Sequence, residues 1–395
     1  MSEQRFHVIG MTDDQSGTFS AEILQLMGRG KVFSGGKRHH EIVASLLPED
    51  AVWIDITVPL DKVFSQYEAY AEIIVFASGD PLFFGFANTL KKRLPNAWMR
   101  VYPVFNSLQT LAHRLVLPYH DMRTVSLTGR PWQNLDEALI RGEKLIGALT
   151  DREKTPSRIA ARMLEYGYDN YRMTVGVHLG NKQAEEVHTL PLDEVIGREF
   201  GFPNCLILEQ IYQRERLFGI PESSFYLLNG REKMITKSPI RLQALSMLDL
   251  HQKHTFWDIG FCTGSVSIEA KLQFPHLQIH AFECRPEGET LINLNTRKFG
   301  TPGIEYHIGD FMELDVSDLP APDAVFIGGH GGKLTEMLQK INRYLLPGGC
   351  MVFNSVSENS LHLFREGIEA IDRRIDNEIG ITVDSYNPIT IIKAI

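Results

Sequence analysis

The sequence is poor in cysteine and lacks any apolar run long enough to span a bilayer. Only four cysteines occur among 395 residues, and no two of them have the spacing of metal ligands. This scarcity favours a reducing, cytoplasmic setting and predicts no metal site. The opening residues, Met1–Arg5, carry no apolar signal-peptide core, so we expect neither secretion nor a membrane partner.

Basic charge is also in short supply. Forty lysines and arginines stand against 49 acidic residues, which gives a formal net charge of −9. Because nucleic acids are held largely through their phosphates, this balance argues against a nucleic-acid partner. The hydrophobic content of 43% and the charged content of 23% are those of an ordinary globular protein, and the length predicts two domains.

Strand-like and helix-like segments alternate in the first half of the chain. The run Ile73–Ala77 has the β-branched composition of a strand buried on both faces of a parallel sheet. It ends at Gly79-Asp80-Pro81, and we predict a helix over Leu82–Lys92. Further strands are predicted at Phe6–Ile9, Lys31–Phe33, Val125–Thr128, Leu145–Thr150, Tyr171–Leu179 and Asn204–Glu209. This alternation predicts an α/β architecture.

The second half repeats the alternation and closes differently. A polar segment with glycine and proline, Phe218–Lys237, predicts the boundary between two domains. Helices and strands alternate from Ile240 onward, and two adjacent strands, Ile381–Tyr386 and Ile389–Ile395, are predicted at the end. An antiparallel pair after alternating β-α units is typical of a class I S-adenosylmethionine (SAM) methyltransferase sheet.

The segment Trp257–Glu269 is the most informative motif. An apolar run ends at Asp258, a glycine-rich turn with Gly260 and Gly264 follows, and a helical pattern begins. This is the β-loop-α unit that usually holds a nucleotide-bearing cofactor. A second apolar run ends at Glu283, where a carboxylate can accept both ribose hydroxyls. The absence of a full G-x-G-x-x-G pattern favours SAM over NAD, and another nucleotide or a plain structural turn remain alternatives.

Polar residues after other strands are further candidates. Asp310 follows the next strand and is placed to face an adenine amino group, and the glycine-rich run Phe326–Gly332 contains His330. In the first half, Gly79-Asp80 forms a turn at a strand end, and Lys37 and Arg38 follow two glycines at a helix start. The alternatives are polar loop residues, helix caps, a mobile turn and a solvated basic face. Adjacent histidines, at 39 and 40, point in different directions and do not predict a metal site.

Ordered motifs over nearly the whole chain resemble the precorrin-6Y C5,15-methyltransferase (decarboxylating) family, fused bifunctional enzymes of cobalamin biosynthesis. The matching stretches of the first half are Gly35–His39, Ala77–Gly85, Val125–Pro131, Leu149–Asp151 and Thr155-Pro156. Those of the second half are Thr236-Lys237 with Arg241, Asp258–Glu269, Phe326–Gly329 and Asn387-Pro388. The resemblance implies a tetrapyrrole-methylase α/β domain over 1–215, a linker over 216–231, and a Rossmann-like class I SAM-dependent methyltransferase domain over 232–395.

The resemblance also implies a reaction and its sites. It implies SAM-dependent methylation of precorrin-6B or cobalt-precorrin-6B at carbons 5 and 15, with decarboxylation of the ring C acetate, in a homo-oligomer. Cofactor contacts are expected at Gly10, Gly79, Asp80, Asp258, Gly260, Thr263, Gly264, Ser265, Glu283, Asp310 and Gly328. Contacts to the anionic tetrapyrrole, a corrin precursor, are expected at Lys37, Arg38, Arg130, Lys237, Arg241 and His330. No residue is assigned as the catalytic acid or base.

Two departures from the family pattern leave alternatives open. The first loop usually reads G-x-G-P-G, but here only Gly10 remains in Gly10–Asp14, and Cys262 replaces the middle glycine of the second turn. One alternative is that only the C-terminal domain is catalytic and the N-terminal domain binds or channels the tetrapyrrole. A nucleotide-dependent oxidoreductase on the second domain is the other alternative.

Overall fold

The structure of the protein is a computed structural model, which describes residues 4–14, 18–231, 234–384 and 387–395. The strands of the first half are β1 Arg5–Met11, β2 Val32–Gly35, β3 Val52–Asp55, β4 Glu72–Ser78, β5 Trp98–Tyr102, β6 Arg123–Ser126, β7 Leu145–Leu149, β8 Tyr171–Val177, β9 Glu186–Pro191 and β10 Asn204–Gln210. The helices between them are α1 Ala21–Arg29, α2 Lys37–Val43, α3 Asp61–Tyr67, α4 Phe86–Arg93, α5 Ser107–Leu115, α6 Gln133–Arg141, α7 Pro156–Glu165 and α8 Leu192–Val195.

The chain divides into two compact units, and the first contains residues 1–130, 144–160 and 171–209. One of its sheets has the strand order β3-β2-β4-β1-β5, and the pairs within it are parallel. Apolar side chains such as Val8 and Val75 are fully buried in its core. Because β1 and β4 lie side by side, their carboxyl ends bring Met11 and Ser78 into register at one edge. A second sheet has the order β6-β7-β10-β8-β9.

The second unit contains residues 131–143, 161–170 and 210–395. Its strands are β11 Thr255–Ile259, β12 Gln278–Glu283, β13 Ile304–Ile308, β14 Ala324–Ile327, β15 Cys350–Ser355, β16 Ile375–Ile381 and β17 Ile389–Ala394. Its further helices are α9 Ser238–Met247, α10 Ser265–Gln273, α11 Glu287–Phe299, α12 Leu334–Tyr344 and α13 Glu358–Ala370. The strand order is β13-β12-β11-β14-β15-β17-β16.

The sheet of the second unit is parallel except for its last pairs. Strands β11 to β15 pair in parallel, whereas β17 runs antiparallel to both β15 and β16. Both faces are covered, because Trp257 packs into one apolar cluster and Phe256 into another. This confirms the predicted α/β class with a closing antiparallel pair. Parallel strands end at a common edge, and that edge is where ligands bind in such sheets.

Most predicted elements are confirmed to within two residues at each end, and two have bounds that differ by more. The helix predicted over Leu82–Lys92 begins only at Phe86, because Phe84 has a positive φ of 55° and breaks the helical run. The strand predicted over Ile381–Tyr386 was placed too late: β16 ends at Ile381, and Asp384 has a positive φ of 49° typical of a turn. Tyr386, at the end of that predicted strand, lies outside the described residues.

Two segments from the first half of the sequence belong to the second unit. Arg162 makes paired hydrogen bonds of 2.9 and 2.7 Å to Asp136, which is buried. The hydroxyl of Tyr168 donates to the carbonyl of Gly300 at 2.7 Å. The domain bounds 1–215, 216–231 and 232–395 stay a prediction. Within the described ranges, no helix is long and apolar enough to cross a membrane.

Candidate functional site

The carboxyl ends of five neighbouring strands in the second unit border one cavity. Its volume is about 680 Å³. The wall combines residues from the ends of β11 to β15 with the segment Met234–Lys237, which precedes α9. A cavity of this size at this edge is suited to a small organic ligand.

The turn after β11 requires glycine at two positions. Gly260 has a φ of +80°, and a Cβ there would lie 2.8 Å from the backbone nitrogen of Gly329. Gly264 has a φ of +77°, and its Cβ would lie 2.1 Å from a methyl carbon of Ile292. L-residues rarely adopt such angles, and both positions also lack room for a side chain. The turn therefore brings the backbone close to the cavity, where Gly260 forms part of the wall.

Cys262 takes the middle position of this turn without disrupting it. Its φ is +52°, in the left-handed region that glycine favours. Its amide donates to the Glu283 carboxylate at 2.8 Å, and its side chain packs beside Leu228 and Leu291. Burial raises the pKa of its thiol to about 11, so the sulfur stays protonated at neutral pH. The departure from the family pattern is accommodated because the cysteine adopts the conformation of the glycine it replaces.

Asp258 lies behind the cavity wall and bonds to the first turn of α10. It is fully buried, and one carboxylate oxygen accepts from the amide and hydroxyl of Ser267 at 3.1 and 2.5 Å. Burial raises the pKa of Asp258 to about 7. Among the described residues, the cavity wall does not include Asp258, Thr263 or Ser265, although all three were predicted to contact the cofactor. Their place in the structure fits a role in holding the turn and the start of α10.

Glu283 is the buried carboxylate of the cavity wall. It ends β12, is only 3% exposed, and accepts from the amides of Cys262 and Arg285 at 2.8 and 3.0 Å. Gly288 lies against it, because a Cβ at Gly288 would lie 2.7 Å from the Glu283 Cγ. These contacts fix the carboxylate at the position from which ribose hydroxyls are recognised in sheets of this type.

Asp310 lies one strand further along the same edge. Lys333 Nζ donates to its carboxylate at 2.7 Å, and the amide of Met312 does so at 2.9 Å. The lysine, followed by the amide, lowers the pKa of Asp310. Phe311 and Met312 join it in the wall. A carboxylate beside apolar surface is suited to the amino group and ring of an adenine.

The glycine run after β14 also borders the cavity. Gly328 and His330 both belong to the wall, as predicted for a ligand-contacting loop. The His330 Nδ1 accepts from the amide of Gly332 at 3.2 Å, so the ring proton is placed on Nε2. Burial lowers the pKa of His330, which keeps the ring neutral at neutral pH. The neutral ring offers one N–H donor to a ligand.

The structure separates two cations that were predicted to act together. Lys237 belongs to the cavity wall, but Arg241 is fully buried beside α10. Its guanidinium pairs with Glu269 at 3.1 Å and donates to the carbonyls of Thr236, at 2.9 Å, and Ile220. A buried guanidinium with these partners is not accessible to a substrate carboxylate, which corrects the predicted substrate contact at Arg241.

The first unit has its own cavity at a strand edge. Its volume is about 520 Å³, and its wall includes Met11–Asp13 after β1 and Ser78-Gly79 after β4. Gly10 allows these strand ends to meet, because a Cβ there would lie 2.3 Å from the carbonyl oxygen of Gly79. Asp80 shapes the turn by accepting from the amide of Leu82 at 2.9 Å. In the part of the chain that the structure describes, neither Gly10 nor Asp80 is part of the wall.

The altered loop after Gly10 carries an ion pair whose carboxylate is buried. Asp13 is only 6% exposed, lies 3.1 Å from Arg38 and 2.9 Å from the His178 Nδ1. Arg38 also donates to the Ser78 hydroxyl at 3.0 Å and belongs to the cavity wall. The positive charge of Arg38 is thus balanced by Asp13 of the altered loop.

The other two cations predicted for the first unit lie outside this cavity wall. Lys37 is exposed, and Arg130 is exposed with its guanidinium 4.8 Å from the ring of Phe84. Both remain predictions as substrate contacts.

Several wall residues were missed by the sequence analysis. Asn354 ends β15, Arg285 follows β12, and Lys333 precedes α12. Asn354 lies near the carboxyl end of a parallel strand, as Glu283 does. The rule that polar residues at such strand ends contact ligands therefore predicts Asn354 when it is applied to β15. Met234 and Ile235 gave no such signal, because their approach to the cavity depends on tertiary packing.

Comparisons with known proteins identify a family model and several similar proteins. A family described as "Precorrin methyltransferase domain" matches residues 228–376. A precorrin-6Y C(5,15)-methyltransferase [decarboxylating] from Sinorhizobium sp is 30% identical over 353 residues, which cover 89% of this chain and 84% of that protein. A cobalt-precorrin-6B C(15)-methyltransferase (decarboxylating) from Salmonella typhimurium is 39% identical over 135 residues, covering 34% of this chain and 69% of its own.

A solved structure is also similar. The crystal structure of precorrin-6y C5,15-methyltransferase from Geobacter metallireducens GS-15 has 33% sequence identity and a TM-score of 0.42, and the match covers 46% of this chain and 98% of that one.

Proposed function

Because this chain belongs to the precorrin-6Y C5,15-methyltransferase (decarboxylating) family, we propose that it methylates precorrin-6B or cobalt-precorrin-6B at carbons 5 and 15. The ring C acetate is decarboxylated in the same sequence of reactions, and the product is precorrin-8 or its cobalt form. The protein is a C-methyltransferase, and we propose SAM as the methyl donor.

The observation that carries the SAM proposal is the pair of carboxylates at the ends of the two strands next to the glycine turn. Glu283 and Asp310 stand at the ends of adjacent strands, and both face the cavity that Gly260 borders. The buried Glu283 is suited to the ribose hydroxyls, and Asp310 with its apolar neighbours is suited to the adenine. The shape of the site also suits a cofactor, because the glycines of the turn leave space that a side chain would fill.

The chemistry asks the protein mainly to align and enclose its reactants. When bound, SAM supplies an electrophilic methyl group, and the meso carbons of the tetrapyrrole are enamine-like nucleophiles. Holding two reactants in line removes on the order of 7–11 kcal/mol from the barrier of a bimolecular step. The apolar side chains of Phe311, Met337 and Ile389 in the cavity wall enclose the reactants and exclude water from the reacting carbon.

We assign the two methylations to separate units. The second unit, with the carboxylate pair, carries out the carbon 15 methylation and the decarboxylation. The first unit methylates carbon 5 at the cavity bordered by Arg38 and Ser78-Gly79. The assignment is supported by the decarboxylating C(15) relative, which matches 34% of this chain, whereas the C(5,15) relative matches 89% of it. Activity of an isolated second domain on carbon 5 would overturn this division.

A second candidate function is that the first unit only binds or channels the tetrapyrrole. The observation in its favour is Asp13, whose carboxylate holds Arg38 where the family places a glycine-rich loop. The two candidates differ in the number of methyl groups transferred, which is two per acceptor in our proposal and one in the alternative.

The test is methyl transfer with isotope-labelled SAM, followed by mass spectrometry of the product. We expect two labelled methyl groups and the loss of one carboxyl group from each acceptor. A single methyl group would favour the alternative, and transfer of hydride to a nicotinamide instead would overturn both.

We propose that the acceptor's carboxylates meet the cations of each cavity. Arg38 in the first unit and Lys237 in the second belong to cavity walls, and Lys37 and Arg130 lie on the surface of the first unit. We also propose a cytoplasmic homo-oligomer. The free cysteines of the described chain fit a reducing compartment.

A further inference from the structure

One polar atom in the wall of the second unit's cavity has no hydrogen-bond partner among the described residues. Asn354, at the end of β15, is 9% exposed, and its Oδ1 accepts no hydrogen bond from any residue that the structure describes. The chain that follows is held in place, because the Ser355 hydroxyl bonds to the carbonyl of Ser357 at 2.8 Å and to Ser360 at 2.7 Å. A buried amide held without a partner at a cavity is a candidate ligand contact, because leaving a buried acceptor unpaired is unfavourable.

The position of Asn354 along the sheet edge separates it from the cofactor residues. Asp310, Glu283 and Gly260 lie at the ends of β13, β12 and β11, whereas Asn354 lies near the end of β15, on the far side of β14. Neighbouring strands are about 4.8 Å apart, so β15 lies about 10 Å from β11. A cofactor held by the carboxylates of β12 and β13 places its ribose and adenine away from this amide. Asn354 is therefore placed to contact the methyl acceptor rather than the ribose or adenine of the cofactor.

The surroundings of the amide indicate which part of the acceptor it meets. Met337, Val356 and Ile389 contribute apolar surface to the same wall. Apolar surface suits the flat face and edge of a macrocycle and disfavours a carboxylate, which would lose its hydration there. The unpaired atom is an acceptor, so its complement is an N–H donor. The ring nitrogens of a metal-free tetrapyrrole supply such donors, whereas in a cobalt complex those nitrogens bind the metal.

We infer that Asn354 is a substrate-contacting residue of the second unit, whose amide oxygen accepts a hydrogen bond from a ring N–H of the metal-free tetrapyrrole. This inference rests on the proposed function, which supplies the tetrapyrrole. The neutral His330, which borders the glycine run of β14, lies in the same wall and offers an N–H donor to the same ligand. Together the two side chains set the rotation of the macrocycle, and hence which carbon lies opposite the methyl group.

The test compares Asn354→Leu, Asn354→Asp and the wild type, with Asn293→Leu as the matched control. Asn293 lies on α11 outside the cavity wall described, and bonds to the carbonyl of Glu289. Three quantities are measured on the full chain: kcat/KM for the tetrapyrrole, the affinity for S-adenosylhomocysteine by calorimetry, and the melting temperature.

For Asn354→Leu we expect kcat/KM for the acceptor to fall about tenfold, the loss of roughly one hydrogen bond. The affinity for S-adenosylhomocysteine should stay within about twofold of the wild type. The melting temperature should stay level or rise, because the unpaired oxygen is removed, whereas a structural asparagine would lose stability. Asn354→Asp keeps an acceptor oxygen and should retain more activity than Asn354→Leu.

Different results overturn different claims. An unchanged kcat/KM in Asn354→Leu, beside an active wild type, overturns the substrate contact. A lower activity in Asn354→Asp than in Asn354→Leu overturns the acceptor role, because it indicates that the amide donates to a carboxylate. A wild type that transfers no methyl group overturns the proposed function itself.

Discussion

At the scale of single residues, Glu283 and Arg241 show how position decides the role of a charge. Both are buried ionisable side chains near the same glycine turn. Glu283 faces the cavity, whereas Arg241 is enclosed by Glu269 and two backbone carbonyls. The first is therefore suited to bind a ligand and the second to hold the structure.

Replacing Glu283 by glutamine should weaken SAM binding by about tenfold or more. The amide keeps one oxygen for the Cys262 amide but loses the charge-assisted bonds to ribose hydroxyls, which are stronger than neutral ones. Calorimetric titration with S-adenosylhomocysteine measures the change. The exposed Glu287, on the next helix, serves as the control through Glu287→Gln. Equal affinities in the wild type and Glu283→Gln would exclude the carboxylate from cofactor binding.

Replacing Arg241 by methionine should lower the free energy of unfolding by about 3–5 kcal/mol, since it leaves Glu269 charged and buried without its partner. The double variant Arg241→Met with Glu269→Gln should recover part of that loss. Urea denaturation measures both. A single variant of normal stability that binds the tetrapyrrole weakly would instead support the substrate contact that the sequence predicted.

At the scale of elements, sequence reasoning succeeded where a local pattern determines the conformation. The turn after β11 is an example, because the predicted glycine-rich turn is present and both Gly260 and Gly264 have a positive φ in it. It failed at β16, where turn geometry at Asp384 decides the bounds. It also missed the wall residues Met234 and Ile235, because packing rather than a local pattern brings them to the cavity.

The start of helix α2 should make the first unit sensitive to acid. The His39 Nδ1 accepts from the amide of Gly36 at 3.2 Å, and its Nε2 lies 2.9 Å from the Ser78 hydroxyl. Burial, with the neighbouring Arg38 charge, lowers the pKa of His39 to about 4 from 6.5. As the pH falls, His39 is therefore protonated in the unfolded chain before it is protonated in the folded one. The stability that neutral His39 gives above pH 6.5 is lost as the pH falls towards 4.

His39→Gln should reduce this loss, because glutamine does not titrate. The measurement is the melting temperature of the full chain between about pH 7 and pH 5. The exposed His120, replaced in the same way, is the control. If His39→Gln and the wild type lose stability in parallel over this range, the acid response arises elsewhere.

At the scale of the whole molecule, the compact units do not follow the sequence in two continuous segments. Residues 131–143 and 161–170 belong to the second unit, and they bring Asp136 and Arg162 to it. Lys271 is 1% exposed, and Asp136 is among the charges that favour its protonated form. The sequence predicted two domains from length and composition, but local patterns carry no information about such long-range packing.

A fragment of residues 216–395 should therefore melt below the second unit of the full chain, by on the order of 10 °C. It lacks the Asp136–Arg162 pair and the hydrogen bond from Tyr168 to Gly300. Differential scanning calorimetry of the fragment and the full chain measures the difference. Asp136→Asn in the full chain should also lower the melting temperature of the second unit. A fragment that melts at the same temperature as the full chain would show that residues 131–143 and 161–170 do not stabilise the second unit.

The central claim is that one chain performs two methyl transfers at two separate sites. The most direct measurement is the mass of the product formed from the tetrapyrrole and labelled SAM by the wild type and by Glu283→Gln at limiting cofactor. The wild type should add two methyl groups and remove one carboxyl group, whereas the variant should accumulate acceptor methylated only at carbon 5. Loss of both methylations in the variant, or a single methylation in the wild type, would contradict the account.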